Sequence, residues 1–276
     1  MSTPPTSTLA PKQRPFWQRA LLSVWARPLL LVLLLIVLWE MAIRIFRIPP
    51  YLIPSPDAVV GKLFSEWPRL WREAVPTTYA TLGGFALSIG FGIPMALVIA
   101  YSRTVESFVY PLLVFSQSIP KIAIAPLFVV WFGFGVIPKV ISAFLLAFFP
   151  VVVSTVAGFK SVDPDMIDLA RSMKATRLQT FLRISLPHAL PSIFAGLKVS
   201  ITLAVVGAVV GEFVGSNSGI GYLLQIANGN FDLPLMFAAL TVLSGIGVLL
   251  FVAVDVVERL MIPWHASHRN DFTATA

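Results

Sequence analysis

The chain has no cysteine, three histidines and only 13 acidic residues in 276. Without cysteine, disulfides, thiol catalysis and cysteine metal sites are all excluded. His188, His265 and His268 are too scattered to hold a metal. Charge of either sign is scarce: 12% of residues are charged against 57% hydrophobic, with a mean hydropathy of +0.85. A soluble domain of this length needs more polar surface than that to cover its core. No paired carboxylates or histidine cluster gather at one membrane face, which argues against a membrane-embedded enzyme. There is no GxxxxGK[ST] phosphate loop, so any ATP chemistry belongs to another chain.

What is present is a set of long apolar runs. Residues 74–102, 140–159 and 233–254 contain no charge at all. About 20 apolar residues are needed to cross a hydrocarbon core of ~30 Å, so each window reads as a membrane helix. Six spans account for the whole pattern, at about 28–46, 77–101, 107–133, 139–158, 190–213 and 235–258. The fold class expected is an all-α membrane protein. The first span follows a Pro/Ser/Thr-rich basic segment and looks like a signal peptide. No small-residue cleavage site follows it, so it is expected to stay as an uncleaved helix. Residues 1–27 are expected to be a disordered cytoplasmic N-terminus, 28–262 the membrane domain and 263–276 a cytoplasmic tail.

The net charge of +7 comes with no nucleic-acid motif or basic groove. Its distribution fits the positive-inside rule instead. With both termini in the cytoplasm, twelve Lys/Arg lie inside and six outside, Lys139 among the latter; Lys121 and Lys198 fall within spans. The outside segment 44–76 repeats Val60, Leu63, Phe64, Trp67, Leu70 and Trp71 at helical spacing among charges. It reads as an amphipathic surface helix kinked at Pro68, serving either as a docking surface or as an interfacial anchor.

Three features inside the spans stand out. Pro120 and Pro126 bracket Lys121, so the third span is broken. Broken backbone at membrane depth is tolerated only where protein buries it or where it lines a cavity. Ser116, Ser118, Pro120, Lys121 and Pro126 are therefore either translocation-path candidates or the site of a packing kink, and Glu212 is a further path candidate. Gly207, Gly211 and Gly215 form a small-residue stripe suited to packing within one chain or to a homodimer interface. Of the charges at membrane depth, Glu40 and Asp255 lie near span ends and Lys198 can snorkel. Lys121 can attract an anionic substrate or pair with a carboxylate, and Glu212, near the outer end of the glycine stripe, can shape an outer gate or serve a structural role.

One polar island interrupts the second half of the chain. Asp163-Pro164 is a strong helix start, and Thr176 with Gln179 makes a capping box for a second short helix. Met166, Leu169, Ala170 and Met173, then Leu178, Phe181 and Leu182, give both helices an apolar side. Such a pair can present a knob to a partner's groove.

The island resembles the cytoplasmic coupling loop (EAA loop) of binding-protein-dependent ABC importer permeases, whose pattern is Glu-Ala-Ala, three residues, Gly, nine residues, Ile, one residue, Leu-Pro. Asp168, Leu169 and Ala170 take the first three places, Lys174 stands at the Gly, and Ile184, Leu186 and Pro187 fall in register. Lys174 is the departure that matters, because a left-handed turn residue is required there. Ser118-Ile119-Pro120, Trp131 to Gly135, Val210 to Gly215 and Gly219 to Leu223 are similar to permeases of the nitrate/sulfonate/taurine group. Permeases for thiamine-pyrimidine precursors and riboflavin look closest within that group.

The resemblance implies a type I ABC importer permease (MetI-like) in a bacterial inner membrane, working as a homodimer in the lipid bilayer. It implies a cytoplasmic ABC ATPase dimer that docks on the coupling loop 159–189 and carries ATP and Mg. It also implies a periplasmic or lipid-anchored substrate-binding protein, and no cofactor in this chain. A stand-alone secondary transporter or channel is the competing reading, because broken helices and midplane charges suit one too.

Overall fold

The computed structural model describes residues 26–263; the segments 1–25 and 264–276, with the expectations placed on them, lie outside. Every regular element within it is helical. They run in the order α1 (Ala26–Phe46), α2 (Pro56–Ser65), α3 (Trp67–Tyr101), α4 (Arg103–Gln117), α5 (Lys121–Phe132) and α6 (Val136–Lys160). Then follow α7 (Pro164–Ser172), α8 (Arg177–Thr180), a π turn (Phe181–Ser185), α9 (Leu186–Gly215), α10 (Ile220–Gly229) and α11 (Leu233–Met261).

The centre is a seam of α3, α6 and α9 made of the smallest side chains. Ala80, Ala143, Ala147, Ala204 and Ala208 are fully buried there. Hydrophobicity does not hold helices together in lipid, so close backbone approach and interhelical hydrogen bonds must do so. A Cβ on Gly207 would stand 2.6 Å from Ala143 Cα, and one on Gly211 would stand 2.7 Å from Lys139 Cα. The buried Ser200 hydroxyl donates to Ala147 O at 2.6 Å, tying α9 to α6 at the same level. The glycine stripe is thus occupied by packing inside this chain, with Gly215 seated against Val129 of α5.

Among the described residues four helices are long and apolar enough to cross a membrane: α3, α6, the α8–α9 run and α11. The 21-residue α1 adds a further apolar helix, touching the body where Trp39 meets Phe237 at 5.7 Å. Three sequence expectations need correction. The third span is broken as expected, with α4 and α5 meeting at 93°, but at one proline and not at two. Only Pro120 ends a helix there; α5 runs through Pro126 uninterrupted, at the cost of one backbone hydrogen bond. Second, Pro68 does not kink a surface helix. It sits in the first turn of a 35-residue α3 that begins ten residues before the expected span. A proline needs no donor in that position, so it starts the helix. Third, the expected loop 214–234 contains α10, whose Ile220, Leu223, Leu224 and Ala227 are buried against α11 and α3.

Candidate functional sites

At one end of the molecule lies the island. Asp163 caps α7 by accepting from Asp165 N at 2.9 Å. Thr176 and Gln179 form the reciprocal capping box on α8, at 3.2 and 2.8 Å. Between them Lys174 takes φ +58°, while Ala175 N–H donates to Ala170 O at 3.0 Å. This is a Schellman-type turn with lysine in the place usually given to glycine. The apolar side chains divide in two. Leu169, Met173, Leu178 and Leu182 are each more than half exposed, whereas Ala170 is buried between the two short helices. Ala170 therefore shapes the knob, and a partner would meet Leu169 and Met173. Asp168 is exposed and pairs with Arg171 at 3.0 Å. Ile184, Leu186 and Pro187 are half-buried where the island joins α9.

The island is fixed to the helix bundle by aromatic rings. Phe181, first residue of the π turn, stacks on Phe159 of α6 at 5.8 Å and meets Tyr101 of α3 edge-on at 6.2 Å. From Arg177 through the π turn to Gly215 the chain is one helical run of 39 residues, about 58 Å long. An element pushed at the island thus reaches the opposite end of the bundle.

At that opposite end Glu212 is fully buried and has a partner on every side. Lys139 Nζ lies 3.6 Å from Oε1, itself only 2% exposed. Thr77 of α3 places its hydroxyl 2.9 and 3.0 Å from the two carboxylate oxygens. Gly221 N–H donates to Oε2 at 2.8 Å. Around this pair, Lys139 donates to Ser218 O at 2.7 Å, Ile220 N–H to Thr77 Oγ1 at 2.8 Å, and Gly219 N–H to Glu73 Oε2 at 2.8 Å. The donors from 219–221 are the free N–H groups that open α10, which lacks a capping side chain of its own. Thr77, Glu73 and Glu212 cap it from other helices, and the carboxylates also suit its positive end. Gly219, at φ +111°, has no room for a Cβ beside the Glu212 carboxylate, and a Cβ on Gly221 would stand 2.8 Å from Glu212 Cβ. Glu73, Thr77 and Lys139 escaped the sequence reading. The Gly219-Ile220-Gly221 signature was their available trace, since two glycines around one residue mark a close approach.

The expected translocation-path residues are split by the elbow between α4 and α5. Ser116 and Lys121 line one cleft of about 110 Å³ with Ile119, Ile124, Leu145, Phe148 and Phe149. Lys121 Nζ stands 5.9 Å from the centre of the Phe149 ring. Ser118, Pro120 and Pro126 are exposed on the outside of the elbow. Glu212 belongs to the buried clamp and not to this cleft. Lys198 does not snorkel free: it pairs with Asp255 at 2.6 Å and with Glu258. Glu40 pairs with Arg44, one turn along α1.

A bundle of long apolar helices with a capped knob and a broken helix suits a transporter subunit. Residues 88–263 match the model of the family described as binding-protein-dependent transport system inner membrane component. The chain belongs to that family and is a multi-pass permease subunit of an ABC importer. It is the membrane component and not the ATPase, and the family implies an ATPase partner and a substrate-binding protein. It is similar to the formylaminopyrimidine transport permease ThiX of Halalkalibacterium halodurans, at 42% identity over 86% of this chain and 95% of that one. It is 37% identical to the riboflavin transport permease RibX of Chloroflexus aurantiacus, over 96% and 99% of the two chains. The taurine permease TauC of Escherichia coli is 32% identical over 85% and 88%. The fold is that of a chain of the inward-facing methionine ABC transporter MetNI, with TM-score 0.60 and 20% identity over 69% of this chain and 95% of that one.

Proposed function

We propose that two copies of this chain form the membrane path of an importer for a small nitrogen- or sulfur-containing solute. The carrying observation is the exposed apolar patch of Leu169, Met173, Leu178 and Leu182 on an island otherwise built of well-formed caps. Isolated leucines on a surface are ordinary, but a contiguous set on a polar element outside the apolar helices marks an interaction site. A cytoplasmic ATPase dimer, holding ATP and Mg, seats this knob. Its closure moves the Arg177–Gly215 run, which the Phe181–Phe159–Tyr101 cluster ties to α6 and α3. A periplasmic or lipid-anchored binding protein delivers the solute on the face opposite the island, in the bacterial inner membrane, with the island on the cytoplasmic side.

The second copy is expected along α4 and α5. Among the described residues α4 buries none of its side chains, and Phe108, Leu112, Phe115, Ile122, Val130 and Trp131 lie exposed. Similarity to pyrimidine and riboflavin permeases favours a flat nitrogen heterocycle as cargo. The test is reconstitution with the ATPase and binding protein encoded beside this chain. Uptake would be measured for formylaminopyrimidine, riboflavin, taurine and nitrate. ATP-dependent accumulation of one solute, lost without either partner, supports the reading. Accumulation that follows an ion gradient and ignores the ATPase overturns it.

A further inference from the structure

Lys121 differs from the other lysines of the apolar helices. Lys139 has Glu212, and Lys198 has Asp255 and Glu258. Lys160, at the end of α6, has Glu106. Among the described residues of one chain no carboxylate lies within ion-pair distance of Lys121, and its ammonium stands 5.9 Å from the centre of the Phe149 ring. A cation at membrane depth without a counter-charge costs a few kcal/mol, and proteins retain such groups where they act on a ligand. The depth is set by Phe149, fourteenth of the 25 residues of α6. The cleft offers Lys121, the Ser116 hydroxyl and two phenylalanine rings within about 110 Å³, room for one flat ring or a single head group. The Ser116 hydroxyl donates to Leu113 O at 2.7 Å, which leaves its lone pairs free to accept. The cleft thus pairs one donor, the Lys121 ammonium, with one acceptor, the Ser116 oxygen, beside the rings of Phe148 and Phe149.

We infer that this cleft is a solute subsite that takes a flat ring carrying a hydrogen-bond acceptor. The ring lies against Phe148 and Phe149, its carbonyl oxygen or ring nitrogen accepts from the Lys121 ammonium, and Ser116 accepts from a ring amine. The inference rests on the importer reading, and it places cargo recognition in the permease as well as in the binding protein. An acceptor held here also supplies the counter-dipole that Lys121 lacks in the empty chain.

The experiment is protection of Lys121 from an amine-modifying reagent, read by mass spectrometry on the permease–ATPase complex in nanodiscs. Formylaminopyrimidine is expected to slow modification of Lys121 by at least about threefold, with Lys62 on α2 unaffected and taurine without effect. Protection by taurine alone, or by neither probe, overturns the inference even where ATP-driven uptake is normal. Protection without any ATP-driven uptake leaves the subsite standing and removes the importer reading. As a second measurement, Lys121→Met is expected to raise the KM for formylaminopyrimidine uptake about tenfold, the equivalent of one charge-assisted hydrogen bond, and Lys121→Arg to restore most of it. A fall in turnover at unchanged KM would make Lys121 a structural residue and overturn the inference.

Discussion

Lys139 and Lys121 stand near the starts of consecutive apolar helices, and the protein treats them in opposite ways. Lys139 is sealed in, with a carboxylate, a carbonyl and a hydroxyl around it, in a site closed by two glycines. Lys121 is half-exposed in a cleft, with a ring face and no anion. The sequence neighbourhoods do not explain this, since both lysines follow a glycine or proline and precede apolar residues. What differs is what the rest of the chain brings to each. A buried pair with every hydrogen bond satisfied fixes one arrangement of helices. A cation with donors to spare leaves a place to be filled.

That contrast can be broken at its strong end. Glu212→Ala or Lys139→Ala alone leaves an uncompensated buried charge and is expected to cost about 3–5 kcal/mol. Thermal unfolding in detergent would show it, and Lys121→Ala would serve as the variant that melts normally. Equal melting of all three would erase the distinction between clamp and cleft. Gly219→Ala is expected to follow, at about 2 kcal/mol, because alanine is strained at φ +111° and its methyl displaces the Glu212 carboxylate. Its signature is loss of amide protection at 219–221 in hydrogen exchange, with the α3–α6–α9 seam still protected.

The island sharpens the comparison, because it too has a buried and an exposed partner side by side. Leu169→Asp is expected to weaken ATPase association by about tenfold or more while leaving the melting temperature unchanged, as for one apolar anchor lost from an interface. Ala170→Asp places a charge between the two short helices and is expected to lower stability as well. Association measured by pull-down, beside melting, separates the two. The smallest effect is Lys174→Gly, which relieves a left-handed residue of about 1 kcal/mol. Slower exchange of the Ala175 amide would report it.

Much of this was legible in the sequence. Charge-free windows give the long helices because hydrocarbon tolerates no free charge, and the island's caps announce themselves through residues three apart. Lys174 stood out because it takes the glycine place of the coupling-loop pattern; whether it keeps the turn was settled only by its φ of +58° and the hydrogen bonds around it. The features missed are those made by distant segments. Glu212 shows only as an acid at a helix end until Lys139 and Thr77 arrive from two other helices. Lys139 itself looks like an interfacial charge, one turn into a helix after Gly135. The short α10 was taken as loop because its ten residues are too few to show a span. The elbow was visible as two prolines, but its angle depends on where α6 lies.

The elbow also bears on what passes when nothing is being carried. Where α4 stops and α5 begins, a helix end leaves carbonyl groups and a helix start leaves N–H groups without intrahelical partners. Such groups are tolerated in an apolar layer only beside protein or water. A wetted break is a leak, and its electrical sign is set by what lines it. Here α5 begins at Lys121, so the positive end of a helix and an ammonium stand together at the break, and fixed positive charge repels protons and metal cations. Fixed positive charge at a helix break thus works against the passage of protons and metal cations there.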